Sequence, residues 1–367
     1  MSEHFNNKDY SEYFSALERN IERKSQSEHK SIKSPQPAKK VYGGVIRLRP
    51  WVYATAILLV AVLIFLIALP KKSKAKDETP KTSEVTENIV SDVVKTEKIN
   101  LFAEFSKNTE TIGSDIVSGN IIVVNCDTNK VVAAREATAR CYPASTTKIM
   151  TILTAGDYIT DYNKTFTFSF EITDPLYIAE ATVAGFSNAE AVNMTDLLYG
   201  AILPSGADAT MGLALSISGS EQGFVKLMNK KADELGLKNT HFENSSGLFD
   251  PNHYTTAEDM AVIIRAAMQN DLCRKILATY QYTTAATPQH PDGILLTSTL
   301  FSHMYGTEPE GADILGGKTG FVNESGYCIA SFGESDAGTE YICVTLGGNG
   351  LWPTVYDQFH LYEQFAK

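Results

Sequence analysis

The sequence predicts an α+β fold for residues 101–367: an antiparallel sheet built from both ends of the segment, with a helical subdomain between them. One N-terminal transmembrane helix precedes it. Three observations predict this. Runs rich in β-branched and apolar residues pair up near each end, at Asn120–Asn125 with Lys130–Arg135 and at Gly326–Phe332 with Glu340–Leu346. The sequence between those pairs carries apolar residues mostly at helical spacing. Upstream, residues 51–69 (WVYATAILLVAVLIFLIAL) contain no charged side chain.

Taken in order, residues 1–49 are polar and lysine-rich, with Ser-Pro-Gln-Pro at 34–37, and are expected to be a disordered cytoplasmic tail. Within them Tyr10, Phe14, Leu17 and Ile21 recur at helical spacing. That allows residues 9–24 to dock on a cytoplasmic partner as a short amphipathic helix, or to form a transient helix without a role. Residues 50–69 are expected to be a transmembrane signal anchor. An apolar stretch of this length at 1.5 Å rise per residue spans about 28 Å, close to the hydrocarbon thickness of a bilayer. Trp51 and Tyr53 lie where an interfacial aromatic belt belongs. A cleaved signal peptide fits less well: the leader is long, and Ile-Ala-Leu-Pro followed by two lysines is a poor cleavage site. Flanking charge leaves orientation undecided, because residues 31–50 and 70–89 each hold five Lys/Arg. Residues 70–100, rich in Lys, Glu, Thr and Ser, read as a flexible stalk.

From residue 101 the first strand pair is joined by Cys126-Asp127-Thr128-Asn129, a hairpin signal. Helices follow at roughly 146–159, 195–202, 208–218, 221–236 and 256–269. Thr256 and Asp259 form a variant capping box for the last, with Asp in place of the usual Glu. Thr354–Phe365 reads as a closing amphipathic helix.

Charge narrows the function. Residues 1–100 hold 17 Lys/Arg against 12 Asp/Glu, a net of +5, whereas residues 101–367 hold 15 against 31, a net of −16. An acidic domain repels phosphate backbones, so no nucleic-acid partner is expected. The five cysteines (126, 141, 273, 328, 343) are sparse, odd in number and lack a CxxC, so buried free thiols are expected, with Cys328 and Cys343 on apolar runs that could be neighbouring strands. Seven histidines without HExxH or similar spacing give no metal site, and no cofactor is implied.

Three short motifs occur in order: Ser145-Thr146-Thr147-Lys148, Ser205-Gly206-Ala207 and Lys318-Thr319-Gly320. Ser-x-x-Lys alone is expected about once or twice by chance in such a chain, and Ser27–Lys30 and Ser73–Lys76 match it too. Context sets Ser145 apart, since it directly precedes a helical pattern. Unpaired N–H groups at a helix start favour developing negative charge, and a spacing of three puts Ser145 and Lys148 on one face. A serine hydroxyl needs an adjacent base, and lysine can serve if burial and a nearby cation, such as Lys318, lower its pKa. The competing structural reading makes Ser145 an N-cap and Lys148 a solvated side chain.

The strings PASTTKIMT, LLYGAILPSGADA, DPNHYTTAEDMA and GGKTG, in that order over residues 110–367, resemble the low-molecular-mass penicillin-binding proteins, the D-alanyl-D-alanine carboxypeptidases of peptidase family S11. The resemblance implies the fold shared by penicillin-binding proteins and serine β-lactamases. It implies that Ser145 attacks the carbonyl between two terminal D-alanines of a peptidoglycan pentapeptide and forms an acyl-enzyme. Lys148 would take the serine proton and Ser205 would relay a proton to the departing D-alanine. Lys318 and Thr319 would bind the terminal carboxylate, Gly320 would let the substrate backbone approach, and the N–H groups of Ser145 and Phe321 would hold the oxyanion. β-Lactams would acylate Ser145. A substrate outside the cell would place residues 1–49 in the cytoplasm and the catalytic domain outside the cell membrane.

Two departures stand out. The family's second motif is usually Ser-x-Asn, and position 207 is Ala, which removes a carboxamide worth roughly 0.5–1.5 kcal/mol as one buried hydrogen bond. A Ser-Gly-Asn at Ser118–Asn120 precedes the nucleophile and reads as a turn. Many relatives carry an additional C-terminal β-rich domain, and none is expected here after the closing helix. His253 reads as a loop histidine that fixes the start of the following helix. Two other readings stand beside the carboxypeptidase: a catalytically weak wall-peptide-binding scaffold, motivated by Ala207, and a serine β-lactamase, against which stands the stretch SSGLFDPNHYTTA where a Glu-x-x-Leu-Asn loop is wanted.

Overall fold

In the computed structural model, residues 100–304 and 307–367 are described, and they hold one six-stranded sheet with helices on both faces. The tail, the anchor at 50–69, nearly all of the stalk, the helical spacing at 10–21 and both decoy Ser-x-x-Lys matches lie outside the described residues. Among the described residues, no helix is long and apolar enough to cross a membrane.

The hairpin of β2 (Asn120–Asn125) and β3 (Lys130–Arg135) turns through Asn129, whose φ of 55° is a left-handed conformation that asparagine tolerates. Strand β1 (Glu110–Thr111) runs parallel beside β3. From the other end of the domain come β8 (Ala312–Val322), β9 (Gly326–Ser335) and β10 (Glu340–Gly348), and the sheet order is β1-β3-β2-β10-β9-β8. Both ends of the segment therefore meet at β2 and β10, where Ile342 lies opposite Val124 and Val344 opposite Ile122.

Covering both faces makes these strands apolar throughout. Ile122, Val124, Ile342 and Val344 face the main helical core, while Ile121, Val123, Tyr341 and Cys343 face Leu361 and Tyr362 of the closing helix. The helices on the first side are α1 (Thr147–Tyr158), α2 (Phe170–Ile178), α3 (Met194–Ile202), α4 (Ala207–Ser218), α5 (Glu221–Leu235), α6 (Ala257–Met268) and α7 (Asp271–Leu277). A short α8 (Thr299–Met304) precedes β8, and α9 (Leu351–Phe365) closes the chain. Two small hairpins complete the fold, β4 (Thr165–Thr167) with β5 (Ala191–Asn193), and β6 (Gln281–Thr283) with β7 (Leu295–Thr297).

Local chemistry departs from expectation at the cap of α6, and the structure adds detail at two other places. Thr256 caps α6 by accepting the Asp259 N–H at 3.0 Å, but the Asp259 carboxylate serves Asn239 N and the Thr240 hydroxyl at 2.9 and 2.8 Å, outside a capping box. Cys328 and Cys343 do lie on neighbouring strands, yet Cys343 pairs with Ser331, and all five thiols are free. Ser118 of the early Ser-Gly-Asn gives its N–H and hydroxyl to the Asp357 carboxylate of α9, at 2.8 and 2.6 Å, a purely structural tie.

Candidate active site

The polypeptide enters α1 through a single 3-10 turn, Ala144–Thr146, so Ser145 precedes the α-helix proper by one tight turn. Ala144 adopts φ 48°, uncommon for a residue with a Cβ. Two glycines hold that strained turn from opposite sides. A Cβ at Gly247, where φ is +83°, would stand 1.9 Å from the Ala144 carbonyl oxygen, and one at Gly320 would stand 2.7 Å from the Ser145 nitrogen. Backbone can come this close only where no side chain intervenes. Gly320 therefore has a role the motif did not suggest: it seats the nucleophile's own backbone against the edge strand β8.

Within the first turn, Lys148 Nζ stands 2.8 Å from Ser145 Oγ and 2.5 Å from the Ser246 carbonyl oxygen, and Ser145 Oγ is itself 3.5 Å from that oxygen. Lys148 is 2% exposed and Lys318 1%. Burial disfavours an ammonium. It pushes the Lys148 amine down to about 7, against the opposing pull of the Asp208 carboxylate. Burial, and then the charge of Lys148, hold Lys318 well below the usual lysine range. The solvated-lysine reading of Lys148 is thereby corrected: the side chain is sealed in.

Ser205 lies on the short connection between α3 and α4, with φ 68°. The bend is fixed by Gly206, whose N–H donates to the Gly200 carbonyl at 2.9 Å, and where a Cβ would meet Gly200 O and Ala184 N at 2.7 Å. Ala207 is buried, opens α4 and donates its N–H to Thr182 O at 2.8 Å. Next to it, the Asp208 carboxylate accepts from the N–H groups of Ala184, Gly185 and Phe186 at 2.7, 3.0 and 3.3 Å, so it draws the 184–186 segment over the second motif. Burial pushes the Asp208 pKa up even so.

Along β8, Lys318 Nζ donates to Thr319 O at 2.8 Å and stands 3.5 Å from Thr299 Oγ1. The Thr299 and Thr319 hydroxyls are 2.7 Å apart. Phe321 projects outward and packs on Tyr327 with ring centroids 4.4 Å apart.

A family model described as Peptidase S11, D-alanyl-D-alanine carboxypeptidase, matches residues 105–350. The chain belongs to the peptidase S11 family. Among S11 relatives, it is 33% identical over 216 residues to "D-alanyl-D-alanine carboxypeptidase DacF" of Bacillus subtilis, covering 57% of this chain and 52% of that protein. It is 30% identical to "D-alanyl-D-alanine carboxypeptidase DacA" of Haemophilus influenzae, covering 63% of this chain and 57% of the relative. The match thus spans little more than half the length of these relatives. Among solved structures, the S216A mutant of the Streptomyces K15 DD-transpeptidase superposes with a TM-score of 0.62 at 26% identity, covering 68% of this chain and 98% of that one. The D-alanyl-D-alanine carboxypeptidase of Mycobacterium tuberculosis gives 0.57 at 29% identity, covering 66% and 90%.

Several residues of this S11 site carried no motif signal. The Ser246 carbonyl faces the lysine as a backbone atom, which no residue type announces. Asp208 lies in the string LLYGAILPSGADA, directly after the second motif, but its effect on Lys148 depends on a packing of α4 against α1 that sequence alone does not reveal. Thr299 reaches Thr319 across 20 residues. His253 does not fix the following helix: its Nε2 is 2.8 Å from the hydroxyl of Thr147, inside the first motif.

Proposed function

We propose that the chain is a serine-type D-Ala-D-Ala carboxypeptidase acting on peptidoglycan stem peptides through an acyl-enzyme on Ser145. The observation that carries this reading is the 2.8 Å pair of half-buried Ser145 Oγ and buried Lys148 Nζ, with the amine's pKa brought down to about 7. A lysine neutral near physiological pH is a competent general base. Ser145 Oγ attacks the carbonyl carbon of the penultimate D-alanine while its proton passes to Lys148 Nζ. The backbone N–H groups of Ser145 and Phe321 receive the oxyanion, where preorganised donors lower the barrier most. Ser205 relays a proton to the nitrogen of the departing D-alanine, and water then cleaves the acyl ester.

Lys318 and Thr319 take the substrate's terminal carboxylate, with the Thr299 hydroxyl beside them. Burial leaves Lys318 short of charge, and an arriving carboxylate restores it, because an opposite charge raises a lysine's pKa. The restored cation favours a neutral Lys148 before attack, because the two amines' charges repel. The absence of a carboxamide at Ala207 favours a second reading, a wall-peptide binder that is acylated but turns over poorly. The apolar run at 51–69 supports a membrane anchor with the catalytic domain on the outer side and residues 9–24 available to a cytoplasmic partner.

Incubating the full chain with a peptide ending in D-Ala-D-Ala and measuring free D-alanine separates these readings. The carboxypeptidase releases D-alanine, and Ser145→Ala reduces release at least about 10³-fold, as loss of an enzyme nucleophile does. Penicillin labelling without D-alanine release supports the binder, and release undiminished in Ser145→Ala rules out the assigned nucleophile.

A further inference from the structure

Residues 241–254 form a loop whose two ends meet. His241 and Tyr254 exchange backbone hydrogen bonds at 2.9 and 3.0 Å, closing the neck of a loop that carries Ser245, Ser246 and Gly247. His253 sits in that neck, 2% exposed, with its ring edge-on to Phe242 at 5.5 Å. Its Nδ1 accepts the Glu243 N–H at 3.3 Å. A ring nitrogen that accepts a hydrogen bond carries no proton, so the proton is on Nε2. That N–H donates to Thr147 Oγ1 at 2.8 Å, and Thr147 is fully buried. The imidazole therefore bridges the two segments that meet at Lys148: the first turn of α1, which bears the amine, and the loop, which bears the Ser246 carbonyl 2.5 Å from it.

The rest of the loop is held by other means. Glu221 accepts the N–H and hydroxyl of Ser245 at 3.0 and 2.8 Å, and the Asn244 side chain accepts the N–H groups of Ser246 and Gly247 at 3.2 and 2.7 Å. Thr151, a turn further along α1, donates to Ser245 O at 2.6 Å. His253 supplies the link at the level of the first motif itself. Nor is it needed for α6, which Thr256 already caps.

We propose that His253 is a positioning residue for acylation: bonded to Thr147 on one side and Glu243 on the other, it holds the Ser246 carbonyl against Lys148 Nζ and keeps that amine shut off from water. This rests on the reading of Ser145 and Lys148 as nucleophile and base. Burial keeps the ring neutral, with its pKa pushed down to about 4, the charges of His241 and Lys148 adding and that of Asp250 opposing. A protonated ring would have no free nitrogen for the Glu243 N–H. Around Lys148 the charged groups are Asp208 from α4 and Lys318 from β8. Neither changes when the His253 bridge is cut. What changes is the burial of the amine, the cause that lowers its pKa most. Cutting the bridge therefore moves the Lys148 pKa back toward the ordinary lysine range.

The test measures acylation of the full chain by a fluorescent penicillin from pH 5 to 10, for the wild type, His253→Phe, Thr147→Val and the double variant, with Tm recorded for each. The two single variants remove the same bond from opposite ends. Each is expected to move the acid limb upward by about one pH unit, which lowers the rate at pH 6 by about tenfold while leaving it near wild type above pH 9. The double variant is expected to be no slower than the worse single one. An acid limb that stays in place in both singles, with only Tm lowered, overturns the proposal, as does a double loss equal to the product of the single losses. Should His253→Phe fail to fold, the acid limb of Thr147→Val decides. A wild type that forms no adduct at any pH overturns the nucleophile assignment and this proposal with it.

Discussion

Lys148 is where residue chemistry and stability meet. Its folded-state pKa is near 7, below the ordinary lysine value, so the folded protein binds this proton more weakly than the unfolded chain does. The penalty for burying it is therefore fully present below about pH 7 and fades as pH rises toward the unfolded pKa of about 10.4. Lys148→Met removes that titration. The stability of the wild type relative to Lys148→Met is expected to rise by on the order of a few kcal/mol between pH 7 and 10. Denaturant melts of both proteins across that range check it, and a difference that stays flat with pH contradicts the buried-amine assignment. At this scale the sequence revealed the hydroxyl and the amine, because both are side chains at fixed spacing. It could not reveal their partner at Ser246, a carbonyl that any residue type could present, nor the left-handed Ala144 that aims the hydroxyl.

Among the elements, the clasp of the nucleophile turn between β8 and the 244–247 loop matters most. Gly320→Ala places a Cβ against backbone rather than against a flexible side chain, so the strand or the turn must shift. Overpacking of this kind costs about 1–3 kcal/mol. The expected result is a lower Tm together with slowed penicillin acylation, and unchanged acylation would show that the turn does not depend on β8 for its position. Legibility followed signal strength. The β2–β3 hairpin was plain from its β-branched runs and its Asp-Thr-Asn turn, and α6 from its Thr256 cap. For the 11-residue β8 only the family resemblance points to a strand, at Lys318–Gly320: Gly316, Gly317 and Gly320 dilute its β signal and a bulge between Ile314 and Gly316 breaks its alternation. Helix α2 was obscured by Pro175 within it and by exposed Phe170, Tyr177 and Ile178, which mimic no buried stripe.

For the whole molecule, sequence sufficed for the α+β architecture because its two ends both carry apolar, β-branched runs, and these meet at β2 and β10. The strongly acidic domain surrounds a site whose two buried lysines are its only use of positive charge in the chemistry proposed here. The proposed anchor is the uncharged apolar run at residues 51–69. A lysine at the centre of an apolar span costs about 2.5–3.5 kcal/mol on insertion scales. Leu59→Lys is therefore expected to reduce the membrane-extracted fraction of the full chain, and carbonate extraction of expressing cells checks it. Equal retention of Leu59→Lys in the membrane pellet would show that residues 51–69 are not what holds the chain there.

In the proposed mechanism everything depends on activation of Ser145 by an unprotonated Lys148. The most direct measurement is the rate of penicillin acylation against pH, with the adduct mapped by peptide mass spectrometry. The expected result is a single adduct on Ser145 and a rate that climbs about tenfold per pH unit below about 7 and levels off above it. An adduct on another residue, or a rate that does not change through pH 7, would contradict it.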